Sequence, residues 1–286
     1  MSYLERVQAL HDWRPGEFVP FVVDQRRLGW VRRDRLGLLA EFPDVFHVDE
    51  DAVTLASSAQ TVEARSAAVH EAMAVLADRG DIRPLRGELF PVAEAWRAPL
   101  RLTLDRGIVP FFGVKAYGVH VNGYRIESGG MQVWIGTRSP TKRVAPGKLD
   151  HLVAGGLGVG YSIGETLVKE AAEEADIGPE LAASARPVGA LSYRCEGEGG
   201  LRSDTLFLFD LAMPADVVPR NTDGELTGFE LWRVENAMAR VRDSDDFKFN
   251  VAPVMIDFFL RHGLLNPDDE PHYLEIVEAL QRGASD

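Results

Sequence analysis

The N-terminal third of the chain alternates short apolar runs with polar turns, a pattern that predicts a small mixed α/β unit. Two β-rich runs around Asp24-Gln25-Arg26 indicate a hairpin. A longer segment with apolar residues near helical spacing ends at Gly80, which is a helix stop signal. The predicted elements are hairpin strands at 18–23 and 27–31, helices at 35–41 and 64–79, and a crossing segment at 92–97.

From about residue 108 the pattern changes to strands with helices inserted among them. The strand at 117–121 is expected to end at an Asn122-Gly123 turn, and the Glu- and Gly-rich connection 196–200 indicates a long-looped hairpin. Gly263 supplies a stop for the last predicted helix. The predicted strands are 117–121, 132–136, 149–153, 187–195, 205–211 and 229–234, and the predicted helices near the end are 235–241 and 252–262.

This order of elements predicts an α+β protein, an α-β-α sandwich with a mixed sheet, rather than a parallel doubly wound sheet. With 286 residues, the chain is long enough for one large domain or two smaller ones. We place the boundary where the pattern changes. A smaller α/β accessory domain is predicted at residues 1–107, and a second domain with C-terminal helices at residues 108–286.

Composition and charge argue against several classes of protein. No apolar run is long enough to span a membrane and no secretory signal is visible, so we expect no membrane partner. The net charge of −13 argues against nucleic-acid binding and makes multivalent cations natural partners. The single cysteine, Cys195, excludes an internal disulfide framework and fits a cytoplasmic location. We expect it to be an inert, partly buried thiol.

The most informative segment is a glycine-rich loop followed by an acidic helix. Ser162, followed three residues later by Glu165, forms a capping box and marks the start of the helix. Glu170, Glu173 and Glu174 have i, i+3 and i+4 spacing, so they project from one face. Like charges at this spacing repel by about 0.2–0.5 kcal/mol per pair. A sequence tolerates this repulsion most readily when a cation lies between the carboxylates.

Two interpretations of the acidic face are open from the residues alone. Charge runs are usually solvated surfaces. The glycine-rich loop favours a metal site, although such a loop is often only a tight turn. Hard divalent cations such as Mg²⁺ prefer oxygen ligands and keep substrate phosphates in their shell. A metal held in this way can polarise a phosphoryl oxygen and lower the pKa of a bound water.

The same segment resembles the Nudix box, whose pattern is G, five residues, E, seven residues, R-E-apolar-any-E-E-any-G-apolar. Gly155, the run Lys169-Glu170-Ala171-Ala172-Glu173-Glu174 and Ile177 fall into that register without a gap. The resemblance implies a Nudix fold for the second domain and hydrolysis of a small-molecule diphosphate.

Three positions depart from the box. Tyr161 replaces its first Glu, Lys169 replaces its Arg, and Asp176 replaces its last Gly. In the family the first Glu and the Arg mainly support the loop and the helix. We expect Glu165 and Lys169, which are four residues apart in the favourable order, to rebuild a similar support.

Other motifs are similar to the Nudix branch related to thiamine pyrophosphokinase, in which a distinct N-terminal domain precedes the Nudix domain. These motifs are FVVD, LGWV, AYGVHVNGY, GKLD, DGE and IDFFLRHG, at residues 21–24, 28–31, 116–124, 147–150, 223–225 and 256–263. The resemblance covers nearly the whole chain. It implies damaged, oxidised forms of thiamine diphosphate as the leading substrate class, and nucleoside diphosphate derivatives are the alternative class.

By this resemblance Glu170, Glu173 and Glu174 are the catalytic metal ligands, and one of them also orients or deprotonates the attacking water. Gly155 and Gly156 let the backbone approach the metal and the phosphates, with the Gly155 carbonyl as a metal ligand and Gly156 at the substrate. Two or three Mg²⁺ or Mn²⁺ ions are expected to bridge the diphosphate and stabilise the leaving phosphate.

Further candidate residues lie outside the box. Glu225, in a Gly-flanked acidic turn, is expected to add a metal-ligating carboxylate, and the alternative is an exposed turn residue. Segment 138–148 contains four cations and no acid, so we predict phosphate contacts from Arg138 and Lys148. The alternative for this segment is a mobile basic loop. A structural role is favoured for His120, and core packing for the aromatic residues Trp30, Tyr117 and Trp134.

A different class of function also fits the fold. A Nudix-fold sensor would bind its ligand with little turnover. Tyr161 and Lys169 at box positions favour this reading, whereas retention of all three carboxylates opposes it. The N-terminal domain is expected either to complete the substrate pocket or to build a homodimer.

Overall fold

The computed structural model describes residues 2–56 and 60–283. The strands are β1 (Phe18–Val23), β2 (Arg26–Arg32), β3 (Phe46–Val48), β4 (Val53–Leu55), β5 (Leu89–Val92), β6 (Leu102–Asp105), β7 (Lys115–Glu127), β8 (Gly130–Arg138), β9 (Leu149–Asp150), β10 (Val153–Gly156), β11 (Arg186–Gly197), β12 (Gly200–Ala212) and β13 (Leu226–Arg233). The helices are α1 (Tyr3–Gln8), α2 (Leu36–Ala40), α3 (Val62–Asp78), α4 (Val109–Phe112), α5 (Ile163–Ala175), α6 (Pro179–Ala183), α7 (Val234–Asp243), α8 (Val251–Arg261) and α9 (Tyr273–Gln281). Within these two ranges, no helix combines the length and apolarity that crossing a bilayer requires.

The N-terminal unit is built on a four-stranded sheet with the order β2-β1-β4-β3. The predicted hairpin is confirmed, since β1 and β2 pair antiparallel. Asp24 and Gln25 connect them with φ values of 50° and 62°, as a two-residue turn that matches strand twist requires. Helices α2 and α3 confirm the two predicted helices. The β5–β6 hairpin was not predicted, and the expected crossing segment begins where β5 ends.

A mixed sheet forms the centre of the C-terminal unit, with the order β11-β12-β7-β8-β13 and with β10 and β9 paired to β7 and β8. Strand β12 runs parallel to β7, whereas the other pairs are antiparallel. Helices α5 and α6 pack with Val119 and Val121 on one face of the sheet. Helices α7 and α8 pack with Val133 and Ile135 on the other face. The predicted α-β-α sandwich with a mixed sheet is therefore confirmed.

The predicted turn at Asn122-Gly123 is wrong, because β7 continues through it. Asn122 and Gly123 pair with Asp210 and Leu211 of β12, and the Asn122 amide donates to Asp210 Oδ1 at 3.3 Å. A Cβ at Gly123 would overlap the side chain of Leu152. This glycine is required by close packing against a neighbour rather than by a turn.

Two other connections also differ from expectation. The predicted long loop at 196–200 is wrong, because β11 and β12 pair as far as Gly197 and Gly200 and leave a two-residue turn. Gly200 has a φ of 121°, and a Cβ there would overlap the carbonyl of Pro110 in α4. The predicted strand 149–153 is split into β9 and β10, because the chain changes partner from β8 to β7 between them.

The first helix packs against the C-terminal unit, although it precedes the N-terminal sheet in sequence. Tyr3 and Val7 share a hydrophobic cluster with α8 and α9, and the Tyr3 hydroxyl donates to the Met238 carbonyl at 2.9 Å. The hydrophobic cluster of the N-terminal unit extends to Ala116. The boundary between residues 107 and 108 stays a prediction.

A buried ion pair joins β8 to β9. Arg138 Nη1 lies 2.7 Å from Asp150 Oδ2, and the two residues are 7% and 3% exposed. The Nε and Nη2 groups of Arg138 donate to the carbonyls of Val144 and Ala145. Arg138 thus fixes the basic loop between β8 and β9 to the sheet.

Replacing Arg138 by Met should lower the free energy of unfolding by about 3–5 kcal/mol, because Asp150 keeps a buried charge and loses its nearest cation. Urea unfolding followed by circular dichroism measures the loss. The matched control is Arg242→Met, which removes an exposed pair with Asp243 and should cost less than about 1 kcal/mol. Equal losses for the two variants would contradict the assignment of a structural role to the buried pair.

The Cys195 thiol should be almost unreactive in the folded protein. The residue is 6% exposed. Burial, with a smaller effect of Asp204, raises the pKa of the thiol to about 12. Near neutral pH the thiol is therefore protonated and a poor nucleophile, because the thiolate is the reactive form. Labelling with a chromogenic disulfide should be slow in native protein and fast in guanidinium, and rapid native labelling would overturn this expectation.

Candidate active site

Helix α5 begins and ends where its sequence dictates. The Ser162 hydroxyl accepts from the Glu165 backbone N–H at 3.2 Å, and the Ser162 N–H donates to Glu165 Oε2 at 2.8 Å. The predicted capping box is confirmed. At the other end Asp176 caps the helix with a φ of 54°, a left-handed conformation that glycine favours. Asp176 thus adopts the conformation that the glycine of the box would provide.

The carboxylate of Glu170 lies against the backbone of β10. A Cβ at Gly155 would overlap Glu170 Cγ and would lie 2.9 Å from Glu170 Oε2. Glycine is therefore required here by the close approach of the side chain. Burial raises the pKa of Glu170, and the adjacent Lys169 only partly opposes this shift. The segment places a poorly solvated carboxylate beside the buried Gly155 and the half-buried Gly156 of β10.

Glu174 is buried one helical turn further on. It is 7% exposed, and its Oε2 accepts from the Ala154 N–H at 2.8 Å. Burial, followed by the charges of Asp150, Glu170 and Glu225, raises the pKa of Glu174 well above its usual range. Within the described ranges no cationic side chain lies within 4 Å of it to form an ion pair. A buried carboxylate among like charges is stabilised when a cation joins it.

Glu173 faces a different environment. Its side chain is 51% exposed and accepts from Lys169 Nζ at 2.6 Å. The same Nζ donates to Glu170 Oε1 at 3.1 Å. The predicted interaction between Glu165 and Lys169 is wrong. The Glu165 carboxylate accepts hydrogen bonds from Ser162 in the capping box, and Lys169 Nζ binds Glu170 and Glu173 instead.

The carboxylates lie along α5 rather than around one point. In residues 2–56 and 60–283, no three His, Cys, Asp or Glu side chains form a preformed metal centre. A magnesium ion, however, usually takes one or two carboxylates and completes its shell with waters and substrate phosphates. Glu170 and Glu174 reach β10 from the same helix and provide oxygen donors of this kind. The donor set therefore fits an ion whose coordination is completed by the substrate.

A cavity of about 550 Å³ opens beside this strand. Gly155, Gly156 and Glu225 line it. The cations that line it include Arg86 and Arg106 from the N-terminal unit and Lys142, Arg143, Arg202 and Lys248 from the C-terminal unit. In the described part of the chain, no carboxylate lies within 4 Å of Arg86, Arg143 or Arg202. A protein of net charge −13 thus has a strongly cationic cavity next to its buried carboxylates.

The structure engages both predicted phosphate contacts, Arg138 and Lys148, in other interactions. Lys148 Nζ donates to the Asp245 carbonyl at 2.5 Å, and the residue does not line the cavity. Arg138 lines the cavity, but its guanidinium is already engaged with Asp150 and with the loop carbonyls. Arg86 and Arg202 were missed by sequence reasoning, whereas Arg143 belongs to the basic segment that composition identified. No local pattern in the sequence distinguishes them from ordinary surface arginines.

Glu225 and Gly156, two of the predicted site residues, both line the cavity. Glu225 forms an ion pair with Lys142. Burial alone would raise the pKa of Glu225, but the hydrogen bond from Lys142 holds it below its usual value. Gly156 faces Phe90, whose Cζ would lie 2.5 Å from an added Cβ. The glycine loop is thus covered by a side chain of the N-terminal unit.

A buried hydrogen-bonded chain ends at the cavity wall. His120 lines the cavity, and its Nδ1 lies 2.9 Å from His151 Nε2. His151 Nδ1 lies 3.0 Å from Asp150 Oδ1. Burial strongly lowers the pKa of His120, with further lowering by His151 and Lys248. His120 and Trp134 are buried, whereas Tyr117 is half-buried and lines the cavity.

The chain is similar to known proteins along most of its length. Residues 2–116 match a family described as a domain of unknown function, DUF4743. The chloroplastic Nudix hydrolase 20 of Arabidopsis thaliana is 40% identical over 275 residues, which cover 93% of this chain and 73% of that protein. The chloroplastic Nudix hydrolase 24 of the same plant is 41% identical over 270 residues, covering 94% and 74%.

Among solved structures, DR0079 from Deinococcus radiodurans is 23% identical with a TM-score of 0.47, covering 59% of this chain and 98% of that one. The relation to the thiamine pyrophosphokinase branch is not tested by these matches and stays a prediction. The two plant relatives, matched along more than nine-tenths of the chain, settle the broader relationship: this chain belongs to the Nudix hydrolase family, enzymes that hydrolyse diphosphate linkages.

Proposed function

We propose that this Nudix pyrophosphohydrolase is metal-dependent and removes oxidised thiamine diphosphate by attack of water at phosphorus. One observation carries the proposal: the buried carboxylate of Glu174 and the half-buried carboxylate of Glu170 lie against β10, next to a cavity whose arginines include some with no carboxylate partner among the described residues. Carboxylates select hard cations, and the arginines select phosphate. A metal-bound diphosphate satisfies both groups at once.

Glu170 and Glu174 would hold Mg²⁺ or Mn²⁺, with the Gly155 carbonyl and Glu225 as further ligands. When bound, such an ion polarises phosphoryl oxygens and lowers the pKa of a coordinated water. Glu173 would join this set by exchanging its ion pair with Lys169 for the metal. The capping box and the packing of Gly155 against Glu170 fix the carboxylates before the substrate arrives, so little reorganisation is needed.

Arg143, Arg202 and Lys248 would neutralise the diphosphate and the charge that develops on the leaving phosphate. Arginine suits this role because its planar guanidinium makes two parallel hydrogen bonds to phosphate oxygens. Lys248 Nζ lies 3.8 Å from Asp150 Oδ2. The buried Asp150 carboxylate thus serves as a counter-ion for Lys248 at the cavity wall.

The organic half of the substrate would occupy an apolar groove next to the cavity. Tyr117 lines both the cavity and this groove, whose volume is about 630 Å³. Trp96 lies 4.8 Å from the rings of both Tyr117 and Phe207 and is 41% exposed. Half-exposed aromatic rings favour a flat heteroaromatic ligand. This arrangement suits the rings of thiamine, and a nucleobase is the competing ligand.

Glu170→Gln and Glu174→Gln should each lower the rate of phosphate release by about 100-fold or more. Each variant replaces a negatively charged carboxylate ligand of the proposed metal by a neutral amide. Assays with Mg²⁺ against thiamine diphosphate, its oxidised forms and a nucleotide panel measure turnover and rank the substrates. Glu180→Gln, an exposed residue of α6, is the matched control and should be fully active. An unimpaired Glu170→Gln enzyme contradicts the proposal, and tight binding without turnover by the native protein would favour a sensor.

Gly155→Ala should abolish most activity, because the new methyl group must displace the Glu170 side chain. Overpacking of this kind should also cost about 1–3 kcal/mol of stability. Gly37→Ala, in helix α2 and with open space around its Cα, is the control, because this exposed residue lines neither the cavity nor the groove. It should keep full activity and gain up to about 1 kcal/mol from better helix propensity. Native turnover in Gly155→Ala would show that the close approach has no catalytic importance.

A further inference from the structure

We propose that Arg86 and Arg106 form an anion clamp through which the N-terminal unit holds a phosphoryl group of the diphosphate. The inference rests on the proposed function, because it assigns a binding role within the same cavity. It gives the unit that matches a domain of unknown function a direct part in substrate binding.

Asp105 is the scaffold of the clamp. It is 1% exposed, and its carboxylate accepts from the backbone N–H groups of Arg86 at 2.9 Å, Gly87 at 2.7 Å and Gly107 at 2.7 Å. A Cβ at Gly107 would lie 2.8 Å from the Pro84 carbonyl, so the two loops are in close contact. Charge-assisted hydrogen bonds to several backbone donors hold loops rigidly. The backbones of both arginines are therefore fixed before a ligand binds.

The clamp is docked on the glycine loop of the active site. The guanidinium of Arg106 lies 5.5 Å from the centre of the Phe90 ring, and this ring covers Gly156. The Val159 N–H also donates to the Leu89 carbonyl at 2.9 Å, which joins the loop before α5 to β5. These contacts place arginines of the N-terminal unit in the wall of the cavity beside the carboxylates.

The electrostatics of the clamp favour an anionic ligand. Arg86 has no carboxylate within 4 Å in the described ranges, whereas Arg106 keeps one partner, Glu88, at 2.8 Å. Burial lowers the pKa of Arg86, and the nearby charges of Arg106, Arg143 and Arg202 lower it further. Arginines that repel one another across a cavity are stabilised by an oxyanion between them. A diphosphate is the ligand whose charge suits several guanidinium groups.

Arg106 also interacts electrostatically with the carboxylates of Glu170 and Glu225. Glu225 and Glu170 act with Glu88 to raise the pKa of Arg106 against the effect of burial. One guanidinium therefore lies near both the predicted metal ligands and the phosphate-binding wall. This position suits a group that bridges a metal-bound phosphate.

The test is calorimetric titration of the full-length protein with inorganic diphosphate in the absence of metal. Arg86→Gln and Arg106→Gln should each weaken binding about tenfold, equal to about 1.4 kcal/mol. The backbone N–H of residue 86 still binds Asp105 in the first variant, so the fold is retained. Arg86→Lys and Arg106→Lys keep the charge and should recover part of the affinity. Arg79→Gln removes exposed pairs with Glu41 and Asp81 outside the cavity and should bind as the native protein does.

Turnover supplies a second readout. The two Gln variants should raise KM about tenfold and change kcat by less than about threefold, whereas a loss of fold would lower kcat and the melting temperature together. Glu170→Gln should bind metal-free diphosphate at least as well as native protein while losing turnover. Native affinity for diphosphate in both folded Gln variants would overturn the clamp and leave the proposed function intact. An active Glu170→Gln enzyme would overturn the proposed function instead.

Discussion

The close contact between α5 and β10 is the constraint on which the site depends. Glu170 occupies the space that a Cβ at Gly155 would fill, and Glu174 accepts a hydrogen bond from the next residue back along the strand. Both carboxylates lose solvent in this arrangement, which raises their pKa values and makes the strand edge attractive to a cation. Burial of like charges costs stability locally, and the proposed metal ion and phosphate would relieve that cost. The cationic cavity beside it provides the complementary charge.

Local signals in the sequence were sufficient to predict helix α5 and its capping box. The relevant features all lie within residues 155–174: the glycine, the capping box and the carboxylates at i, i+3 and i+4. Short-range sequence patterns identify features of this kind. Asp176 shows how a departure from the family pattern is accommodated, since it takes the left-handed conformation itself. The strands were placed correctly wherever hydrophobic alternation was regular. Where a glycine interrupted it, at Asn122-Gly123 and at 196–200, tertiary pairing overrode the turn signal.

The cationic wall of the cavity could not be predicted, because its members come from distant parts of the chain. Arg86 and Arg106 lie more than 90 residues before Arg202, and nothing in a single sequence shows which arginines lack a carboxylate partner. The composition of the basic loop was recognised from the sequence. Its first cation, Arg138, nevertheless forms an ion pair with the buried Asp150. Charge type can be read locally, whereas the pairing of charges is a property of the folded chain.

The packing of α1 against α8 and α9 has a consequence for how the molecule unfolds. Helix α1 packs in the core of the C-terminal unit, and the residues that follow it build the N-terminal unit. In sequence order, the N-terminal sheet is therefore inserted between two segments that pack in the C-terminal unit. Loss of the first helix would expose apolar surface of the C-terminal core rather than of the sheet that follows it in sequence. Cutting the chain near residue 107 would therefore separate α1 from the helices with which it shares a hydrophobic cluster.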